Sequence, residues 1–501
     1  MTTADWRDHK RYLWAVALTM PLLPWLAIGL HAATGASVWL WLGPLFILGV
    51  VPILDLVTGL DRANPPAEAM AALEGDRYYR WVTYLFLPLQ YAGFAAGFWM
   101  IAHGGLSIPE SIGLAATVGF IGGLGINTAH ELGHKKESVE RWLSKIALAQ
   151  SFYGHFYIEH NRGHHVRVAT PEDPASSRLG ESFYRFWPRT VIGSLRSAWH
   201  LEARRYARNG QHPFRLGNDV LNAWLMSAAL WTILVLWLGA GILPYLLLQA
   251  VIGFTLLEAV NYLEHYGMLR QRVSSVAGRA RYERVDPRHS WNSNNLTTNV
   301  LLYHLQRHSD HHAHPTRRYQ ALLDHDQAPV LPTGYAGMIL LALVPPLWSR
   351  IVDPRVLAHY GGDVRLANVA PHARERLLAR YPAPVSQIAR DGDDAGGGDS
   401  ESARAESARA GDDAGGGDSE SARGGDSRGG DSESATAASS RTPAAGAYEC
   451  PSCGYAYDPH RGAPREGFPA GTPWASIPAD WPCPDCGVRD KADFVPLTLA
   501  S

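Results

Sequence analysis

Cysteine is scarce in this chain: four thiols among 501 residues, all beyond position 446. So few, in one place, exclude a disulfide-built scaffold and fit a reducing compartment. Charge is scarce as well, at 18% of residues against about 25% for an ordinary soluble domain. Residues 391–445 hold almost no large apolar side chain, and that stretch cannot build a core. A collagen-like chain and a wholly disordered chain are both excluded, because the remainder is rich in apolar residues. These are bunched rather than spread, which disfavours a single soluble globule.

The bunching is specific. Apolar runs occupy 12–30, 38–57, 84–102, 112–129, 223–240 and 242–260. Each has about the 20 residues that a helix needs to cross a bilayer core. The expected architecture is an all-α membrane protein, a six-transmembrane-helix bundle with histidine-rich helical segments on its cytoplasmic side. No cleavable leader is evident, since the first run lacks a small-residue cleavage pattern and is long enough to stay as an anchor. Basic residues set the orientation: Arg7, Lys10 and Arg11 precede the first run, Arg62, Arg77 and Arg80 follow the second, and Lys135, Lys136, Arg141 and Lys145 follow the fourth. The short loops after the first, third and fifth runs carry no Lys or Arg. Both termini are therefore expected in the cytoplasm, with the protein multi-pass in a bacterial-type inner membrane.

The net charge of −2 conceals a division. Residues 1–390 have a balance of +9, residues 391–445 of −8 and residues 446–501 of −3. The string GDDAGGGDSESAR recurs at 392–404 and 411–423. Three parts are expected: a membrane domain (1–390), a disordered low-complexity linker (391–445) and a small domain (446–501). A flexible linker of that length reaches about 40 Å, and a basic front can attract an acidic back. No nucleic-acid partner is expected.

Histidines carry the chemistry. His130 and His134 stand in HELGH, His160, His164 and His165 in HNRGHH, and His308, His311 and His312 in HSDHH. A gap of four puts two imidazoles on one helical face, whereas the adjacent pairs point apart and can bridge two sites. Eight imidazoles exceed the needs of one ion, so two metals are the natural count. His265, just past the sixth run, is a further candidate ligand. Imidazole suits Fe, Zn and Cu alike. HELGH also has the form HExxH, with Glu131 as a general base, so a membrane zinc protease is an alternative. That reading leaves the other two clusters unexplained. Glycines 113, 119, 122, 123 and 125 in the fourth run serve close helix packing or leave room for an apolar chain, packing being favoured.

With their flanks, HELGHKKE (130–137), EHNRGHHVRVATPEDPASSRLGE (159–181), NYLEHYGMLR (261–270) and LQRHSDHHAHPTRRYQ (305–320) resemble the integral-membrane non-haem diiron alkane 1-monooxygenases. The bare three-box pattern is shared with fatty-acyl desaturases and xylene-type hydroxylases, which remain alternatives. The resemblance implies that His130, His134, His160, His164, His165, His265, His308, His311 and His312 are catalytic and bind two irons. It further implies that O2 is the co-substrate and that medium-chain n-alkanes are hydroxylated to primary alcohols. Glu131, Glu159, Glu264 and Asp310, beside those histidines, are candidates for orienting the rings.

Cys450, Cys453, Cys483 and Cys486 form two CxxC knuckles, a four-thiolate set that suits Zn or Fe. Gly454, Tyr455, Tyr457, Trp474, Pro478, Asp480, Trp481, Lys491 and Phe494 around them resemble rubredoxin, which implies a single iron that passes one electron at a time. A zinc ribbon is the alternative. The two resemblances together imply an oxygen-dependent hydroxylase fused to its electron donor. Its other partners are the lipid bilayer and a separate flavin-dependent NAD(P)H rubredoxin reductase, since no dinucleotide-binding GxGxxG is evident in a strand–helix context.

Overall fold

The computed structural model describes residues 6–274, 280–382, 446–452, 454–479 and 481–497. Cys453, Asp480 and the 391–445 segment lie outside the described residues. Among the described residues, six helices are long and apolar enough to cross a membrane: α1 (Leu13–Thr34), α2 (Ser37–Thr58), α3 (Arg77–His103), α4 (Ile108–Gly133), α6 (Asp219–Leu238) and α7 (Ala240–His265). Between α4 and α6 lies a further long helix, α5 (Phe183–Arg208). Each of the six expected runs matches one of these helices, two of them overrunning a helix end by one or two residues, and several helices extend beyond the apolar stretch. α3 starts at Arg77 because the Asp76 carboxylate caps it, accepting from Tyr78 N at 2.9 Å. α4 starts at a capping box formed by Ser107 and Glu110. α1 and α2 are less regular. Pro21 interrupts the hydrogen-bond ladder of α1, whose first half is wound as a 3₁₀ helix, and α2 contains a π-helical stretch over Leu45–Val50.

α4 is the central helix, 89% buried along its apolar window against 22–39% for the other five. Its glycines explain how. A Cβ on Gly119 would lie 2.8 Å from the Gln249 carbonyl of α7, and one on Gly113 would strike the Trp41 ring. Small side chains thus let neighbouring backbones approach, and packing accounts for most of the stripe. The outer helices present Leu56, Val57, Leu236 and Leu247 outward, as a lipid-facing surface requires.

Beyond α7 come a short hairpin of β1 (Arg272–Ser274) and β2 (Ala280–Tyr282) and the helix α8 (His308–Ala313). The C-terminal domain holds a small antiparallel sheet of β3 (Tyr448–Glu449), β4 (Ala456–Tyr457) and β5 (Val495–Pro496), with β3 in the centre. Its core is Tyr457, Ile477, Trp481 and Phe494 around the cysteines. Trp474 stacks on Tyr448 with ring centres 4.4 Å apart.

Candidate metal centres and substrate cavity

Four segments converge where α4 and α7 end. α4 brings His130 in its last turn and His134 at its C-cap, and α7 brings His265. α8 supplies His308, His311 and His312. The HNRGHH segment is a π-helical turn, Glu159–His164, that runs on into His165. All nine rings are buried.

They sort into two groups. The first is His130, His134, His160, His165 and His311; the second is His164, His265, His308 and His312. Within each group the ligand atoms lie within 4.8 Å of one another. The adjacent pairs divide as expected, with His164 and His165 going to different groups, as do His311 and His312. The four-residue gaps of HELGH and HSDHH also keep their pairs together. The third four-residue gap behaves differently: His160 and His164 fall in different groups. The wider π turn instead brings His160 to His165, five residues on, with Nε2 atoms 3.1 Å apart.

The contacts are of one kind. His130 Nε2 is 3.0 Å from His311 Nε2, His308 Nε2 is 2.9 Å from His312 Nε2, and His164 Nε2 is 3.2 Å from His312 Nε2. Asp173 Oδ2 lies 2.8 Å from His164 Nδ1. A carboxylate only accepts, so the proton sits on Nδ1 and the Nε2 lone pair faces its neighbours. Burial, reinforced by the neighbouring imidazoles, pushes His134, His160, His165, His308, His311 and His312 below the usual histidine range. The rings are thus held neutral, the form that ligates metal. Among the described residues the buried His134 Nε2 finds no hydrogen-bond partner. Facing lone pairs about 3 Å apart repel unless a cation lies between them, so the donor set fits two metal ions.

The carboxylates beside the histidines mostly do other work. Glu131 is ion-paired with Lys135 at 3.0 Å and accepts from Tyr319 N. That geometry gives it no base role over a metal and removes the basis for the protease alternative. Glu159 is paired with Arg167 at 2.6 Å, yet burial still raises its pKa to about 8. Asp310 takes up Arg317, His314 and His325. These three do not orient the clustered rings. Glu264 does meet one: its Oε2 is 3.2 Å from His308 Nε2, and its Oε1 accepts from the Tyr335 hydroxyl at 2.9 Å. The orienting residue missed in sequence is Asp173. Its only signal was a place within the long matching flank, nine residues past His164. His304, near the third cluster, turns away to the Tyr319 carbonyl.

An apolar cavity opens onto both histidine groups at His130, His160 and His308. Leu256, Leu257 and Val260 of α7, Leu301, Leu302 and Leu305 form much of its wall. Gly123 of α4 also lines it, so this one glycine leaves room as well as packing. From Gly123 to His130 the helix rises about 10 Å.

The small domain seats on the other side of the histidines. Cys450 Sγ and Cys486 Sγ are 3.8 Å apart, and Cys450, Cys483 and Cys486 form one buried group. An edge of about 3.8 Å is what a tetrahedron with metal–sulfur bonds of about 2.3 Å requires. Acidic residues of this domain meet basic residues of the membrane domain: Glu466 with Lys136 (3.1 Å), Asp490 with Arg162 (3.7 Å), Asp493 with Arg208 (3.3 Å) and Glu449 with Arg284 (2.6 Å). Val166, next to His165, packs on its core. Cys483 and Cys486 share one cleft with His134, and Cys486 shares another with His165 and His312.

Comparison with known proteins agrees with this geometry. Residues 110–342 match the fatty acid desaturase family model, and residues 447–494 match rubredoxin. Alkane 1-monooxygenase of Acinetobacter baylyi is 44% identical over 380 residues, 75% of this chain and 91% of the relative. That of Pseudomonas putida is 42% identical over 75% of this chain and 93% of its own length. The hydroxylase component of xylene/toluene monooxygenase from Pseudomonas putida is more distant, at 26% over 70% of this chain and 91% of its own.

Proposed function

The chain belongs to the alkane 1-monooxygenase family, and from that premise we propose that its nine clustered histidines are the iron ligands of a terminal hydroxylase. It is a multi-pass membrane oxidoreductase that converts alkanes to primary alcohols with O2, using electrons delivered by its own rubredoxin domain. The cofactors are two irons at the histidines and one at the cysteines. The observation that carries the reading is the sandwich: an apolar cavity on one side of the two histidine groups and a thiolate cluster on the other.

The histidine-bound irons supply O2 activation when present. The protein's part is positioning. An alkane offers no polar handle, so only shape and apolar contact can hold it, and the leucines of α7 and of 301–305 provide both. Their wall keeps water from the reacting carbon. Asp173 fixes the tautomer and aim of His164. The distance from Gly123 to His130 accommodates roughly eight extended carbons, which supports medium-chain n-alkanes as substrates. We assign residues 1–390 to the hydroxylase, 391–445 to a tether and 446–501 to the rubredoxin, with Cys453 as its fourth ligand. Lys and Arg concentrated at the histidine end support a cytoplasmic placement for both termini and for the metal centres in an inner membrane. A separate flavin-dependent NAD(P)H reductase is the source of electrons.

The test is product analysis. Purified chain in bilayer discs, supplied with rubredoxin reductase, NADH and octane, is expected to form 1-octanol, with three irons per chain by metal analysis. An alkene product would transfer the chain to desaturase chemistry. Gly123→Val is expected to shift preference towards shorter alkanes, because a Cβ there already lies 2.8 Å from Leu256 Cδ1. An unchanged product series would place the end of the substrate elsewhere.

A further inference from the structure

A second cavity, of about 470 Å³, lies between one face of α5 and the loop 171–178. Asp173 apart, its lining takes no part in the chemistry described above. Six basic side chains line it: Arg167, Arg178, Arg189, Arg196, His200 and Arg204. Two of these already have carboxyl partners. Arg167 is paired with Glu159, and Arg189 holds Glu181 through two nitrogens while donating to the Pro174 and Ser176 carbonyls. Among the described residues, Arg178, Arg196 and Arg204 make no ion pair. The acidic residues at the rim are already engaged. Asp173 is committed to His164 and Ser176, and Glu172 to the Tyr282 hydroxyl and Arg272. The cleft is therefore a concave site with uncompensated guanidinium charge.

Its construction is local. Positions 189, 193, 196, 200 and 204 recur at helical spacing and form one face of α5. Gly193 lets the loop close on that face, since a Cβ there would meet the Pro174 side chain at 2.6 Å. Beside the basic face, Tyr184, Ile192 and Leu195 are exposed. The helix lies against the last turns of a membrane span: Trp187 Nε1 donates to Thr255 Oγ1 of α7 at 3.0 Å, and Thr190 to Glu258 at 2.7 Å. An exposed apolar stripe next to a basic one, at the end of a span, places a helix at headgroup level.

We propose that this cleft binds the phosphate group of an anionic phospholipid, with Arg178, Arg196 and Arg204 as its donors. Guanidinium forks match phosphate oxygens geometrically. The neighbouring apolar stripe gives the acyl chains a surface that a free anion does not need.

The experiment uses the full chain, delipidated in detergent and then offered phosphatidylglycerol mixed with phosphatidylcholine. Retained lipid is counted by native mass spectrometry. Wild type is expected to retain phosphatidylglycerol selectively, and Arg196→Gln/Arg204→Gln to retain about tenfold less, with phosphatidylcholine unchanged. Arg196→Lys/Arg204→Lys keeps the charge and is expected to recover part of the retention. Should the double glutamine variant fail to fold, Arg204→Gln alone, at an exposed position, serves in its place. Equal phosphatidylglycerol retention by wild type and glutamine variants overturns the proposal. Thermal stabilisation by inorganic phosphate without selective lipid retention overturns the lipid assignment and leaves a soluble anion site.

Discussion

The two metal-binding regions are built on opposite plans. The histidine groups draw on four segments spanning His130 to His312, and the packing of α4, α7 and the loops around them sets each ring in place. Buried tyrosines, tryptophans and leucines surround that framework, which has ample core of its own. The cysteine region has little besides Tyr457, Ile477, Trp481, Val488 and Phe494, and three of the buried residues in its core are the cysteines themselves. In the first case the scaffold makes the site. In the second the site completes the scaffold, as is common for domains of this size.

The sharpest way to break that contrast is Cys486→Ser. Loss of a thiolate is expected to unfold residues 446–497 and abolish NADH-driven hydroxylation. The bundle should keep its helical circular dichroism and its histidine-bound iron, and separately added rubredoxin should restore turnover. Collapse of both regions together would show that the membrane domain depends on the docked one. A smaller effect is expected from Asp173→Asn. Exchanging the carboxylate that holds His164 for a neutral, weaker amide acceptor should weaken iron binding by roughly 10-fold or more, with little change in melting temperature. A large fall in melting temperature would make Asp173 a structural residue instead. The smallest effect belongs to the junction. Arg162→Gln/Arg208→Gln removes three junction ion pairs, to Asp490 from both arginines and to Asp493 from Arg208, along with the Arg162–Glu202 pair; each such partly exposed pair contributes about 0–1 kcal/mol. Electron delivery from the tethered rubredoxin should slow a few-fold and become less sensitive to salt. An unchanged rate would locate the functional contact at another face.

How much was legible beforehand follows the same division. Spans and knuckles are local patterns, and they were readable because about 20 apolar residues or a CxxC carry their meaning within one window. The division of His164 from His165 and of His311 from His312 was also readable, since neighbours on a helix point apart. The pairing of His160 with His165 was not, because it depends on a π turn that no spacing rule for ordinary helices announces. The carboxylates were hardest. Glu131, Glu159 and Asp310 stand next to histidines in sequence, but their side chains leave on other faces to meet Lys135, Arg167 and Arg317. Asp173 is remote in sequence and adjacent in space because the loop after His165 folds back beneath it. Proximity along the chain is a poor guide to contact when the partners come from a tertiary fold.

The seating of the rubredoxin carries a final consequence. Among the described residues its bonds to the hydroxylase are five ion pairs, a hydrogen bond from the Thr316 hydroxyl to the Asp485 carbonyl and the Val166 contact, a polar latch of modest strength. A lone ferric/ferrous couple holds a single reducing equivalent, whereas each molecule of alcohol consumes a pair. Every product therefore requires the donor to be replenished midway through the cycle, and a modest latch suits a courier that must call twice.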